Sequence, residues 1–154
     1  MYFKKFTVED EPRIQNYLLT EDQLLYTASP REVIKIEDSE RHPILALDDD
    51  LFVTFFVLHE GKGPLDFLGT EHDILLRSFS TDVRYEGRGY ATKVLEKIPS
   101  YVQENFPHIK RIILALDEGN ERARALYIKQ GYTDTELRMA GRTSNLHILQ
   151  YSFV

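Results

Sequence analysis

The sequence predicts a mixed α/β domain in which a central sheet carries helices on both sides. Three observations point there. Strand-like and helical stretches alternate through the first part of the chain, and strands pair locally at both ends. The length of 154 residues with 42% hydrophobic and 29% charged side chains suits one soluble domain with a single core.

Met1 to Thr7 reads as a short strand. Val8 to Leu19 follows as a helix, with Glu9, Asp10, Glu11 and Pro12 in a favourable first turn and Ile14, Leu18 and Leu19 on its apolar face. Between Thr20 and Arg41 the pattern is less regular; Ser29-Pro30-Arg31-Glu32 starts a second short helix through Val33, Ile34 and Ile36. Pro43–Leu47 and Leu51–Leu58 form a hairpin across Asp48-Asp49-Asp50, whose acids read as a solvated turn, with no matching cluster of metal ligands. A polar loop with Gly61, Gly63, Pro64 and Gly69 leads to a fourth strand, Asp73 to Val83.

Next comes Arg84-Tyr85-Glu86-Gly87-Arg88-Gly89-Tyr90-Ala91, a glycine-rich turn opening a helix whose apolar positions are Ala91, Val94, Leu95 and Ile98. Pro99 predicts a kink or break near Ile98, because an interior proline removes a backbone donor. Arg111 to Leu116 is an apolar central strand. Asp117-Glu118-Gly119-Asn120 ends it and caps a helix from Glu121 to Gln130, stopped by Gly131. Tyr132 to Met139 and Leu146 to Phe153 close the fold as two strands joined through Gly141.

Composition narrows the chemistry. There is no cysteine, which excludes disulfides, thiolate metal sites and a cysteine nucleophile, and suits a reducing cytoplasm. No apolar stretch follows the N-terminal charges as in a signal peptide. The longest apolar run, Leu51 to Leu58, is less than half of the roughly 20 residues that cross a bilayer, so no membrane partner is expected. The formal charge of −6 disfavours nucleic acid and mildly favours a cationic ligand.

The glycine-rich turn is the chemical feature. Gly87 and Gly89 remove side chains where backbone must approach a pyrophosphate, the helix start offers unpaired N–H groups and the positive end of its dipole, and Arg88 adds charge. Ala91 lets the helix lie close to the sheet. The alternative is a plain tight turn before a helix. No Gly-Lys-Ser/Thr is present, which disfavours a nucleoside-triphosphate loop.

With Asn120, Ala123, Leu126-Tyr127, Lys129 and Gly131-Tyr132 downstream, the chain resembles the GNAT superfamily of N-acetyltransferases over about Leu76 to Tyr132. The family's acetyl-CoA loop, Arg or Gln, two residues, Gly, one residue, then Gly or Ala, aligns with Glu86-Gly87-Arg88-Gly89-Tyr90-Ala91. Glu86 departs from it by placing an acid where CoA phosphates are expected, and its side chain is expected to point to solvent.

The resemblance implies a mostly antiparallel twisted sheet of about six to seven strands and an acetyl-CoA co-substrate between two splayed strands. It places the backbone of Phe79 and Thr81 on pantetheine and on the thioester carbonyl, and Glu86 to Ala91 (Gly87, Arg88, Gly89 and Tyr90 between them) on the phosphates. It puts Asn120 at the cofactor arm, beside its reading as a helix N-cap, and Tyr127 as the acid that protonates the departing sulfur; an isolated tyrosine here would be core packing. For the base, Asp73 and Glu71 share a strand face and remain open, Leu75 stands where some relatives carry a carboxylate, and His59, His72 and His147 are not expected to be catalytic. The implied activity is direct acetyl transfer from acetyl-CoA to a primary amine of a small molecule or protein.

Two rival readings stand beside it: an acyl-CoA-binding regulatory module of the same fold without transfer, and a nucleotide-binding domain of another fold. The acceptor site is expected between the segment 20–41 and the loop near Gly141, with a cationic acceptor mildly favoured. A homodimer through strands near the C-terminus is left open.

Overall fold

The computed structural model describes residues 1–154. Seven strands form one sheet in the order β1-β2-β3-β4-β5-β7-β6. They are β1 (Tyr2–Lys5), β2 (Arg41–Asp48), β3 (Leu51–His59), β4 (Asp73–Thr81), β5 (Arg111–Asp117), β6 (Thr133–Ala140) and β7 (Asn145–Ser152). Every neighbouring pair is antiparallel except β4 with β5. This is the mixed, mostly antiparallel sheet that was expected.

The helices are α1 (Glu11–Asn16), α2 (Glu21–Leu24), α3 (Pro30–Val33), α4 (Lys62–Leu65), α5 (Tyr90–Asn105) and α6 (Glu121–Lys129). The period-two alternation of the strands divides the core between the two faces of the sheet. On one face Ile44, Phe56, Ile74, Leu76, Ile112 and Leu114 pack against Val94, Leu95, Ile98 and Val102 of α5 and Tyr127 of α6. On the other, Leu45, Leu47, Phe55 and Val57 meet Ile14, Tyr17 and Val33, while Leu75, Ile113 and Ile148 form a smaller cluster. The gap between those two clusters becomes part of the site.

Four local expectations are corrected. The first helix ends at Asn16 because Tyr17 turns extended (φ −72°, ψ 130°) and sends its hydroxyl to the Ser80 carbonyl at 2.6 Å, leaving Leu18 exposed. The irregular stretch after it holds two helices. The earlier, α2, is set by a capping box in which Gln23 N–H donates to Thr20 Oγ1 and Thr20 N–H to Gln23 Oε1, a signal readable in Thr20-Glu21-Asp22-Gln23.

Gly61 to Leu65 is not only loop: α4 forms there, and a Cβ on Gly63 would stand 2.4 Å from the His59 ring, so glycine permits that close packing. Finally, α5 is not broken near Ile98. It runs through Pro99 because Val94, Leu95, Ile98 and Val102 are buried on one stripe spanning the proline, and that burial outweighs a cost of about 3 kcal/mol. No helix is long and apolar enough to cross a membrane.

Candidate active site

The site begins where β4 and β5 part. They pair only at Asp73↔Arg111, Ile74↔Ile112 and Leu75↔Ile113. Beyond that point β4 continues on β3 and β5 on β7, so each strand is drawn to its own side. The closed end is locked by Asp73, which receives Arg111 Nε at 2.8 Å, Arg111 Nη2 at 2.7 Å and the Thr70 N–H at 2.7 Å. Burial works to raise the Asp73 carboxyl, but these donors outweigh it and hold it below the ordinary carboxylate range.

The opening between the strands leads into a cleft of about 680 Å³, lined by residues 76–81 of β4, 114–116 of β5, the glycine-rich turn, the start of α6 and part of α2. Thr81 sits at its rim. Asp82 N–H donates to Val53 O, so by the alternation of an antiparallel ladder Thr81 turns its peptide away from β3 and into the cleft. Its carbonyl is taken there by Gln23 Nε2 at 2.8 Å.

Midway along β4 the register slips: Phe55 faces Ser80 and Val57 faces Arg77, so Ser78 and Phe79 together oppose Phe56. Ser78 has φ 55°, the left-handed conformation that the first residue of such a bulge usually meets with glycine. The bulge re-aims the backbone at the point where the strands have separated. The Phe79 ring lies in the core, 6.4 Å from Phe56 and 6.2 Å from Tyr127 between centroids.

The glycine-rich turn has the conformation that its sequence suggests. Gly87 (φ 76°) and Gly89 (φ 80°) are both left-handed, and nothing lies within 4 Å of where a Cβ would stand on either. Backbone conformation demands glycine there, and the space beside it is free for a ligand. Gly89 is the N-cap of α5 without a side-chain cap, and no acidic residue occupies the first turn, so the helix donors remain available to an anion. Ala91 lines the cleft, and the Tyr90 hydroxyl donates to Asp48 at 2.6 Å, tying the helix start to the β2–β3 hairpin.

Arg84 and Arg88 flank the Tyr85 ring at 5.4 and 5.6 Å. Asp82, wholly buried, anchors the turn from below by accepting the Leu18 N–H, the Arg84 N–H and the Arg84 guanidinium. Glu86 is exposed, but its side chain does not simply point to solvent: it lines the cleft, and its carboxylate accepts Gln23 Nε2 at 2.8 Å.

Across the cleft, Asn120 caps α6 by accepting the Ala123 N–H at 3.4 Å, as its helix-cap reading requires, and also lines the opening. Tyr127 is buried against Phe79 and Tyr132, with ring centroids 6.2 and 5.5 Å away, and faces the same cleft. Its hydroxyl has no protein hydrogen-bond partner. Burial pushes the phenol well above its ordinary value, so it is neutral and carries its proton at physiological pH.

A second cavity, of about 820 Å³, lies on the sheet face away from α5. It is built from residues 24–32, Phe67, the middle of β4 and Arg142 to Leu146, so the two segments expected to surround an acceptor do converge. The cavities share Tyr26, Thr27, Leu76, Arg77, Ser78 and Ala115. They therefore meet at the β4 bulge.

Neither acid considered as a base is at this junction. Asp73 is consumed by Arg111 at the closed end, and Glu71 is exposed before β4 begins. His59 is buried, His72 exposed, and His147 engages Arg124, so none of the three faces the junction. Sequence reasoning missed Gln23, Arg77, Ser78 and Asp82. Gln23 had a local signal in its capping box and Asp82 one in the Asp-x-Arg turn that it caps; Arg77 and Ser78 acquire their roles through strand register.

The Acetyltransferase (GNAT) family profile matches residues 7–132. An uncharacterized N-acetyltransferase, YbbJ of Bacillus subtilis strain 168, is 36% identical over 146 residues, spanning 93% of this chain and 91% of that protein. The aminoglycoside acetyltransferase AAC(6')-Ib, solved with coenzyme A and kanamycin, superposes with a TM-score of 0.78 at 14% identity over 98% of this chain and 94% of its own. The ribosomal-protein-S18-alanine N-acetyltransferase of Escherichia coli gives 0.68 at 12% identity over 98% and 92%. With the family profile matched over most of its length, the chain is a member of the GNAT family of N-acetyltransferases.

Proposed function

We propose that the protein moves the acetyl group of acetyl-CoA directly to a primary amine. The observation that carries this reading is the meeting of two cavities at the β4 bulge, one beneath an uncapped helix start and the other behind it. The residues present fit the co-substrate: two left-handed glycines leave open space beside α5, and the cleft continues from there between the strands.

Acetyl-CoA supplies a thioester already activated toward amines. The N–H groups of the glycine turn and of the first turn of α5 receive its pyrophosphate, with Arg88 adding charge. Thr81 and Phe79 offer backbone to the pantetheine arm and the acetyl carbonyl; fixed amide donors stabilise a developing oxyanion without reorganising. Asn120 steadies the arm from the start of α6. Tyr127 holds a proton for the leaving sulfur, and the two cavities bring the reactants into line.

A thermal-shift comparison tests the binding step: acetyl-CoA and CoA are expected to raise the melting temperature while ATP does not. Thiol release across a panel of amines then tests transfer. A shift with neither CoA species overturns the proposal. Binding without thiol release from any amine would favour a regulatory acyl-CoA module, a reading motivated by Glu86 at the phosphate turn.

A further inference from the structure

The acceptor cavity has a charge pattern opposite to that of the whole chain. Three arginines line it, Arg31, Arg77 and Arg142, and none of them makes an ion pair with a carboxylate. Two acids line it as well: Glu32, which makes an exposed pair with Lys35 at 3.5 Å, and Asp117, which accepts the neutral Ser144 Oγ at 2.9 Å and keeps its charge. Local charge, rather than the formal −6, is what a ligand in this cavity meets.

Arg77 is the central one. It is half-buried beside the bulge, and its guanidinium lies 5.5 Å from the centroid of the Phe67 ring. Its one protein partner is His59, with Nη1 to Nδ1 at 3.2 Å. Burial lowers the His59 pKa, and Arg41 and Arg77 lower it further against the opposing pull of Asp38 and Glu40, so the ring is neutral. His59 Nδ1 is then an acceptor, while Nε2 lies 3.3 Å from Asp38 Oδ2 without the geometry of a hydrogen bond. A neutral acceptor orients the guanidinium without cancelling its charge. Asp38 and Asp66 are felt only at longer range, and desolvation lowers the Arg77 pKa without removing its proton.

A partly desolvated guanidinium with free donors beside a ligand cavity is suited to a carboxylate, which it can grip through two parallel hydrogen bonds. Leu24, Leu25, Phe67, Leu75 and Leu146 give the cavity an apolar part beside its polar residues, and its volume is that of a small-molecule site. Because Arg77 directly precedes the bulge where the cavities join, a carboxylate held there leaves its amine only a short reach to the thioester. With three arginines against two acids in the lining, a polycation is disfavoured.

We propose that the acceptor is a small amino carboxylate with an apolar side chain, its carboxylate received by Arg77. This rests on the acetyl-transfer reading given above. The reaction balances as amine plus acetyl-CoA giving amide plus CoA thiol: a nitrogen–carbon bond forms, the carbon–sulfur bond breaks, one amine proton leaves to solvent, the sulfur receives one from Tyr127, and Tyr127 regains one from solvent.

The experiment compares L-phenylalanine, L-phenylalaninamide and phenethylamine by thiol release, with L-leucine as a second amino acid. The free acids are expected to exceed the amide and the amine in kcat/KM by about ten- to a hundredfold, chiefly through KM. Arg77→Gln should erase that preference and Arg77→Lys restore part of it, while acetyl-CoA affinity measured by calorimetry stays within about twofold of wild type in both. Equal turnover of phenethylamine and phenylalanine overturns the inference, as does a preference unchanged in Arg77→Gln. Calorimetric binding of L-phenylalanine, lost in Arg77→Gln, is read separately. It supports the carboxylate site even if acetyl transfer fails, and absence of binding by both amino acids overturns it.

Discussion

Gln23 Nε2 stands 2.8 Å from Glu86 Oε1, and the same nitrogen donates to the Thr81 carbonyl at 2.8 Å. One amide on α2 thus ties the glycine-rich turn to the rim of the cleft. It also holds a negative charge beside the place where a polyanion is proposed to bind.

Removing that charge should strengthen binding. In Glu86→Gln, the Kd for CoA is expected to fall by roughly three- to tenfold at low ionic strength, with the gain shrinking in 0.5 M salt because an exposed charge is screened. Calorimetry at two salt concentrations measures it. An affinity that falls or does not change would show that the carboxylate does not face the phosphates.

Tyr127→Phe removes a hydroxyl with no protein hydrogen-bond partner, so the fold should tolerate it. Turnover is expected to drop by about a hundredfold, in the range of general acid catalysis, with the CoA Kd within about twofold of wild type. Steady-state thiol release beside calorimetry separates the two. Wild-type turnover with the true acceptor would remove Tyr127 from the chemistry.

Backbone strain makes opposite predictions at two neighbouring features. Gly89→Ala puts a Cβ on a residue at φ 80°, which should cost about 1 kcal/mol of stability, and it also intrudes on free space, so CoA affinity should fall. Ser78→Gly relieves a left-handed serine at φ 55° and should raise the melting temperature by about 2 °C. Calorimetric scans of both variants, compared with wild type, check the signs.

Acid sensitivity follows from three buried carboxylates. At Asp10, Asp73 and Asp82 burial acts to raise the pKa, but hydrogen-bonding donors outweigh it and each lies below its ordinary value. A lowered folded pKa gives stability that is present above the unfolded value of about 3.9 and is lost as pH falls through the folded one. Melting temperature should therefore decline steeply below about pH 4. Asp73→Asn should cost about 3 kcal/mol at pH 7, a deficit that narrows as pH falls, measured by urea unfolding at pH 7 and pH 3.

Much of this molecule is written locally. The β2–β3 hairpin, the left-handed glycines and the Asn120 cap with its Gly131 stop each follow from a few adjacent residues, because turn chemistry and amphipathic period act over one or two turns; the fourth strand does too, although it ends at Thr81 rather than Val83 because Asp82 caps a tight turn over Val83–Tyr85. The resemblance over Leu76 to Tyr132 added the pairing of the two motifs, and with it the family. Pro99 shows the limit of local reasoning: its helix persists because residues on both sides are buried against the same sheet.

What the sequence determined by itself was the alternation of elements, the glycine-rich turn that opens a helix and Tyr127 on the helix across the cleft from it. Only the tertiary structure decided the rest. The slipped register at Ser78 and the neutral partner of Arg77 depend on strands brought together from distant parts of the chain, as does the bridge from Gln23 to Glu86. A net charge of −6 carries no information about which side chains remain unpaired in one cavity. That depends on which acids folding brings close enough to neutralise an arginine, since Coulomb attraction between exposed charges fades within about 10 Å in salt solution.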